Sequence, residues 1–410
     1  MEIKEKSSTV SIDVSKCLSC ETKACVAACK KYARGILELK DGVPSVEHLT
    51  AEEVLRLGTE CLACEFACTF HGNKAITIDV PVAGLPEYLA KRGLARRVAS
   101  GRATIFDQKD WGMGILINKN TKVVVQGITG REGSVRTKYM KSYGTHVVGG
   151  TSPGKKGSDV HGVPVYNTVK EIAREHGEID FSVIFVPGHV LKTAVMEAAD
   201  AGVKNVIPCV EGTPIHDIME MIAYCKAKGT RLLGPGSIGI ITPGEAVVGW
   251  LGGNVEWANT FFKRGSIGVF SRSGGQSGTI PWVLREGGFG VSTVIHTGTE
   301  PVLGTSMADL LPLFEEDPET EGVAVYAEIG GSQEEECAEV IASGKFTKPF
   351  VVYVSGAWAP EGQRFSHASN IVERGRGSAK SKMDAITKAG GYVAMTPTDI
   401  PVILHEKLKK

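Results

Sequence analysis

The stretch Phe365–Ser378, FSHASNIVERGRGS, sets one histidine, His367, among small residues and glycines just past the apolar run KPFVVYVSGAWAPEGQ. A strand that breaks into a glycine-rich loop at its carboxyl end is where open α/β sheets put their chemistry. Two further segments have that form: VFSRSGGQSG carries Ser273, Gly274 and Gly275, and VYAEIGGSQEEE carries Glu328. A neutral imidazole nitrogen is nucleophilic near neutral pH. A carboxylate can orient the ring, and the N–H groups of a helix amino-terminus can hold a phosphate. Each segment alone also reads as an ordinary surface loop. Together they are the parts of a phosphohistidine site.

A second set of reactive residues lies at the other end of the chain. Seven of the ten cysteines precede residue 70: Cys17, Cys20, Cys25 and Cys29 in KCLSCETKACVAACKKY, then Cys61, Cys64 and Cys68 in ECLACEFACTFHGNKAITI. Two-residue spacing lets successive thiolates point at one centre, as in iron–sulfur clusters. Zinc is the alternative for paired Cys-x2-Cys; seven cysteines in a motif that occurs twice favour iron–sulfur. Cys209, Cys225 and Cys337 stand in apolar surroundings and read as buried thiols. Each cysteine group is followed by a β-like run, ILELKDGVPSV and KAITIDV, the first containing the hairpin signal Asp41-Gly42.

The elements that must position these residues follow from composition and pattern. A chain of 410 residues suggests about two to four domains. It is 42% hydrophobic and 22% charged, as expected of a globular protein with several cores. Lys+Arg and Asp+Glu both number 46, so net charge gives no argument for nucleic acid or a membrane surface. No apolar run is long enough for a membrane span. The start, MEIKEKSSTVSID, is too polar for a secretory signal, and a cytoplasmic location is expected. Residues 82–113 read as a helical linker with a basic face (Lys91, Arg92, Arg96, Arg97, Arg102). From 114 the pattern becomes strand, glycine loop, helix, strand, which predicts parallel sheets covered on both faces. Gly127, Gly130 and Gly133 open the first helix of that part, where backbone N–H groups can approach a phosphate. A dinucleotide fold wants an acid at the end of the next strand; here stand Gly149-Gly150-Thr151 and then Lys155-Lys156. Two lysines favour a ligand with an additional phosphate. Coenzyme A suits this better than NAD, and NADP remains open on charge alone.

Roughly the first 80 residues resemble a two-cluster bacterial-type ferredoxin domain. That resemblance implies one cluster on Cys17, Cys20, Cys25 and Cys68, and a second on Cys61, Cys64 and Cys29. The family's first cysteine of the second motif falls at Gly58, so the second cluster lacks a ligand. It would be a three-iron cluster, use Glu60 or His71, or be absent. Lys30 and Thr69 stand where the family usually has proline.

From about Ile115 onward the chain resembles the alpha subunit of succinyl-CoA synthetase, of the NDP-forming acyl-CoA ligases. The matching stretches are KVVVQGITGREG, VGGTSPGKKG, GVPVYNTVKE, GPGSIGIITPGE, SRSGGQSGT, AEIGGSQEEE and SHASNI. ATP-citrate lyase and citryl-CoA synthetase share this core, and their SRSGG is closer to this chain than the SRSGT common in succinate enzymes. The resemblance implies an α/β fold class: a Rossmann-like CoA-binding domain (114–252), a linker (253–265) and a flavodoxin-like ligase domain (266–410), preceded by a small α+β ferredoxin-like domain (1–81). It implies that His367 is the phosphorylated histidine, that Glu328 orients it, and that Ser273, Gly274 and Gly275 hold the phosphate. CoA would be bound by Gly127, Thr129, Gly130, Arg131, Glu132, Gly133, Lys155, Val186, Pro187 and Glu211. Many members read GPNCPG where this chain has Gly234–Gly239, GPGSIG. The chain carries no recognisable ATP-grasp domain and no GxxxxGK[ST]. ATP or GTP with Mg2+ is therefore expected on a separate beta subunit of ATP-grasp fold, with a small carboxylic acid as substrate and a redox protein as a possible further partner. The competing readings are an iron–sulfur oxidoreductase subunit using NAD(P) or flavin, and a non-catalytic CoA-binding redox scaffold.

Overall fold

The computed structural model describes residues 1–4, 9–32, 35–57, 64, 67–68, 72–73, 75–79, 115–357 and 377–408. His367, Cys61, Gly58, Glu60, Thr69, His71 and the basic linker lie outside the described residues. The chain divides into two compact units, Met1–Gly101 and Arg102–Lys410, and each is taken by itself.

In the first unit, β1 (Glu2–Lys4), β2 (Thr9–Ile12) and a later strand (Ile76–Asp79) form an antiparallel sheet with β2 in the middle. Between them, β3 (Glu38–Lys40) and β4 (Val43–Ser45) pair as a hairpin with Lys40 opposite Val43; Ile76–Asp79 is β5. Asp41 and Gly42 have φ of 51° and 78°, the left-handed pair of a two-residue hairpin turn, so the Asp-Gly signal is borne out. Short helices span Val14–Leu18, Ala24–Tyr32 and Ala51–Leu57. The last is opened by a reciprocal cap: Glu53 N–H donates to Thr50 Oγ1, and Thr50 N–H donates to the Glu53 carboxylate. Those bonds hold the Glu53 carboxyl below its ordinary range. Ile3, Val10, Ile12, Val54 and Ile76 bury their side chains together with Cys17, Cys25, Cys29, Cys64 and Cys68. Thiols thus supply much of a small core.

The second unit holds two seven-stranded sheets. The first contains β6 (Lys122–Gln126), β7 (His146–Thr151), β8 (Asp159–Val160), β9 (Val163–Tyr166), β10 (Phe181–Ile184), β11 (Asn205–Pro208) and β12 (Arg231–Leu232), in the order β12-β11-β10-β6-β7-β9-β8. All pairs are parallel except β8 with β9. β10 and β11 are buried along their whole length, as expected where helices cover both faces of a parallel sheet. Those helices are Arg131–Tyr143, Val169–His176, Gly188–Asp200 and Ile215–Lys228.

The second sheet contains β13 (Gly239–Thr242), β14 (Ala246–Gly249), β15 (Arg264–Ser271), β16 (Val291–His296), β17 (Gly322–Glu328), β18 (Phe350–Ser355) and β19 (Tyr392–Ala394), in the order β14-β13-β16-β15-β17-β18-β19. β15 to β19 are parallel; β13 joins β16 antiparallel. The second sheet therefore begins earlier in the chain than residue 266: residues 239–249, expected with the CoA-binding part, pair with the ligase sheet. The reason is geometric. The β13–β14 hairpin covers the open edge of β16 with main-chain hydrogen bonds, and β14 also meets helix Arg131–Tyr143; just past that helix, Thr145 Oγ1 donates to Val247 O at 2.7 Å. One apolar core runs through both sheets, from Val123 and Phe181 through Val247 to Phe270, Val325 and Leu404. Among the described residues no helix is long and apolar enough to cross a membrane.

Candidate active site

In the first sheet, β6 lies between β7 and β10, and the chain turns back at this central strand. Such a switch point opens a crevice at the carboxyl ends of the strands. Gly127–Gly133 leaves β6, Thr151–Lys155 leaves β7, and Val186-Pro187 leaves β10, so most of the expected CoA residues meet at one end of one sheet. Gly127 takes φ +79°, and a Cβ there would lie 2.4 Å from Phe185 O; one on Gly133 would lie 2.2 Å from Gly127 O. Only glycine permits this close crossing of backbone. Gly127 N–H donates to Thr151 O at 2.9 Å, and the Thr129 and Ser152 hydroxyls meet at 2.6 Å. Gly130 caps helix Arg131–Tyr143, whose first-turn N–H groups and macrodipole favour an anion. Arg131 and Glu132 are exposed on that turn, and Glu132 pairs with Arg136 at 3.1 Å. Lys155 is exposed, its N–H bonded to Ser152 O at 3.0 Å. Pro187 caps helix Gly188–Asp200. Glu211 follows β11, and its carboxylate accepts from Thr299 Oγ1 at 3.1 Å.

In the second sheet, β15 is central, with β16 on one side and β17 then β18 on the other. The loop after β15 brings Ser273, Gly274 and Gly275 to the start of helix Gln276–Glu286, with Gly275 at its cap. Ser271 Oγ and Ser273 N–H, 3.0 Å apart, brace this turn. Glu328 ends β17 and stands in register with Ser355, the last residue of β18. Neighbouring strands are about 4.8 Å apart, so the chain leaves β18 toward residue 358 beside Glu328. It re-enters the described structure at Gly377, whose carbonyl accepts from Gly330 N–H at 2.7 Å. Both ends of the segment containing His367 thus meet at the loop that follows Glu328.

The two crevices are joined by side chains that sequence reasoning missed. Glu300, buried, accepts from the N–H groups of Gly212 (2.5 Å) and Thr213 (3.3 Å), which docks the loop after β11 on the loop after β16. His296, fully buried, accepts from Ile238 N–H at Nδ1 (3.2 Å) and faces Arg272 O with Nε2 (2.9 Å). The proton is therefore on Nε2, and this ring ties the GPGSIG loop to the SRSGG loop. The Arg272 guanidinium is buried and donates to Glu300 O at 3.2 Å. Burial pulls its pKa down, against the nearby Glu334 and Glu328 carboxylates. The available signal was an arginine and a histidine at strand ends inside apolar runs, which did not say where they point.

In the first unit, all six described cysteines of the two motifs are buried and unbridged. Cys17, Cys20, Cys25 and Cys68 lie within electrostatic range of one another. Burial, then the neighbouring Cys68, pushes the Cys25 thiol up to about 11. Ala75 N–H donates to Cys68 Sγ at 3.1 Å. Among the described residues no three His, Cys, Asp or Glu side chains form a group that could hold a metal ion.

Two family models match in succession: a CoA binding domain over residues 118–212 and a succinyl-CoA ligase-like flavodoxin domain over 264–399. The chain is 43% identical over 296 residues to an ADP-forming sulfoacetate-CoA ligase subunit of Bilophila wadsworthia, covering 72% of this chain and 100% of that protein. It is 45% identical over 299 residues to the alpha subunit of the ADP-forming succinate–CoA ligase of Aquifex aeolicus, covering 72% and 95%. The chain belongs to the succinate–CoA ligase alpha-subunit family. It is thus a subunit of a nucleoside-diphosphate-forming acid–CoA ligase, not of an oxidoreductase or a scaffold, and its middle part binds CoA. ATP citrate lyase of Methanosaeta concilii shares the fold of the ligase subunit: TM-score 0.65 at 23% identity, over 72% of this chain and 50% of that one. Both family models begin after residue 117 and leave the cysteine-bearing unit outside.

Proposed function

We propose that this alpha subunit activates a short carboxylic acid through a phosphohistidine at His367. ATP or GTP, held with Mg2+ on a beta subunit of ATP-grasp fold, phosphorylates an imidazole nitrogen of His367 and leaves as ADP or GDP. Glu328 orients the ring, and the N–H groups at Ser273, Gly274 and Gly275 hold the phosphoryl oxygens. The acid's carboxylate takes the phosphoryl group and frees the imidazole. The CoA thiolate then attacks the acyl phosphate, the new C–S bond replaces the C–O bond, and inorganic phosphate departs. CoA is cradled by Gly127, Thr129, Gly130, Arg131, Glu132 and Gly133 with Lys155, Val186, Pro187 and Glu211. The observation that carries this reading is the meeting of both ends of the His367 segment at the Glu328 loop. The relatives act on succinate and sulfoacetate, so the substrate class is a short acid with a second anionic group. Co-purifying the beta subunit and screening such acids tests this: sustained ADP or GDP release, beyond the one equivalent that phosphorylates His367, must require both an acid and CoA. Multiple-turnover release without either, or none with any acid, contradicts it.

In this reading Cys17, Cys20, Cys25 and Cys68 of the first unit would hold one [4Fe-4S] cluster, and the enzyme belongs to the cytoplasm, where thiols stay reduced. Four buried thiols with an N–H···S bond on one of them support a cluster that would take one thiolate at each iron. When bound, such a cluster supplies one-electron transfer, for which a redox protein would be the partner. Anaerobic purification should give about four irons and four sulfides per chain, lost in Cys25→Ser. Stoichiometric zinc instead overturns it.

A further inference from the structure

The helix Ala379–Lys388 begins just past Gly377 and carries a lysine, Lys382, that is wholly buried. Its ammonium has three donors, and three acceptors meet them: the Glu334 carboxylate, Glu335 Oε2 at 3.3 Å and the carbonyl of Gly331 at 3.2 Å. Glu335 is a relay. Its Oε1 accepts from Ser381 Oγ at 2.6 Å and from Gly377 N–H at 3.3 Å. The Gly377 carbonyl in turn holds Gly330 N–H. Gly331 lies against Arg272, whose Nη1 would be 2.9 Å from a Cβ there, and Glu334 faces the same arginine electrostatically. The network therefore reaches the backbone after Glu328, the backbone where the His367 segment ends, and the loop that carries Ser273.

Stability alone does not call for this arrangement. Buried ion pairs are commonly replaceable by apolar side chains of similar volume without loss. What an ammonium and two carboxylates provide beyond packing is directed bonds to the backbone at Gly331 and Gly377. We propose that Lys382, Glu334 and Glu335 are positioning residues that fix the Glu328 loop against the carboxyl end of the histidine segment for phosphoryl transfer. The inference rests on the reading of His367 as the phosphoryl carrier.

The test uses the full chain with its beta subunit. Single-turnover incorporation of label from γ-labelled ATP is followed in Glu335→Ala and Glu335→Gln. CoA affinity and the melting temperature are measured in parallel. Glu335→Ala removes the acceptor for Gly377 and should slow labelling by up to about 10²-fold, the cost of a misplacement near 1 Å, while CoA affinity is unchanged. Glu335→Gln keeps an amide oxygen for Gly377 and Ser381 and should restore most of the rate. The double variant Lys382→Met/Glu334→Leu, apolar and of similar volume, should melt near the wild type yet label slowly; it serves as the check if Glu335→Ala does not fold. Wild-type labelling rates in Glu335→Ala or in the folded double variant overturn the inference alone, as does a loss that extends equally to CoA affinity. A wild-type chain that takes no label overturns the His367 reading and this inference with it.

Discussion

A methyl group on Gly133 would sit 2.2 Å from the Gly127 carbonyl, so Gly133→Ala must push the Gly127 turn away from the helix. Overpacking of this kind costs about 1–3 kcal/mol; CoA titration calorimetry should show weaker binding with little change in β-sheet content. The three scattered cysteines give a second outcome. Burial pushes the Cys225 thiol to about 12 and raises Cys209 and Cys337, so a thiol reagent at pH 8 should leave Cys225 and Cys337, the two buried ones, unmodified until denaturant is added. Because the folded chain keeps these protons longer than the unfolded one, their contribution is full below about pH 8.5 and is lost as pH rises toward 12. Melting curves from pH 8 to 11 read that decline. At this scale the glycines and cysteines were legible, because each type has few uses. Lys382 was not. It sits on the buried stripe of its helix with Ala379 and Ile386, and nothing local pairs it with Glu334, 48 residues away.

Strand–loop–helix units were legible element by element, since continuous apolar strands alternating with amphipathic helices admit little else. The destination of β13 was hidden: Gly239–Thr242 is buried throughout with no polar–apolar alternation, and no local pattern says which of two sheets it edges. The same holds for the docking of the loop after β11. Its partner, Glu300, is an acid in an apolar stretch whose role depends on a fold 88 residues away. Glu300→Ala leaves the amide N–H of buried Thr213 without its acceptor, a loss of about 1–3 kcal/mol. Urea unfolding should show a lower midpoint with an unchanged slope.

Across the whole molecule, 296 matched residues account for all of the Bilophila wadsworthia relative and 72% of this chain, so the remainder has no counterpart there. A chain lacking residues 1–101 should therefore retain CoA affinity and ADP- or GDP-coupled turnover with the beta subunit; loss of CoA binding would show that the cysteine-bearing unit supports the crevice. Composition made the two-part plan visible, because cysteine is concentrated before residue 70 while the ligase motifs follow Ile115. The central claim, phosphorus carried by one imidazole between two subunits, is tested most directly by incubating the wild type and His367→Asn with γ-labelled ATP and the beta subunit. Acid-labile label on the wild type and none on the variant is the predicted result; equal labelling of both would contradict it.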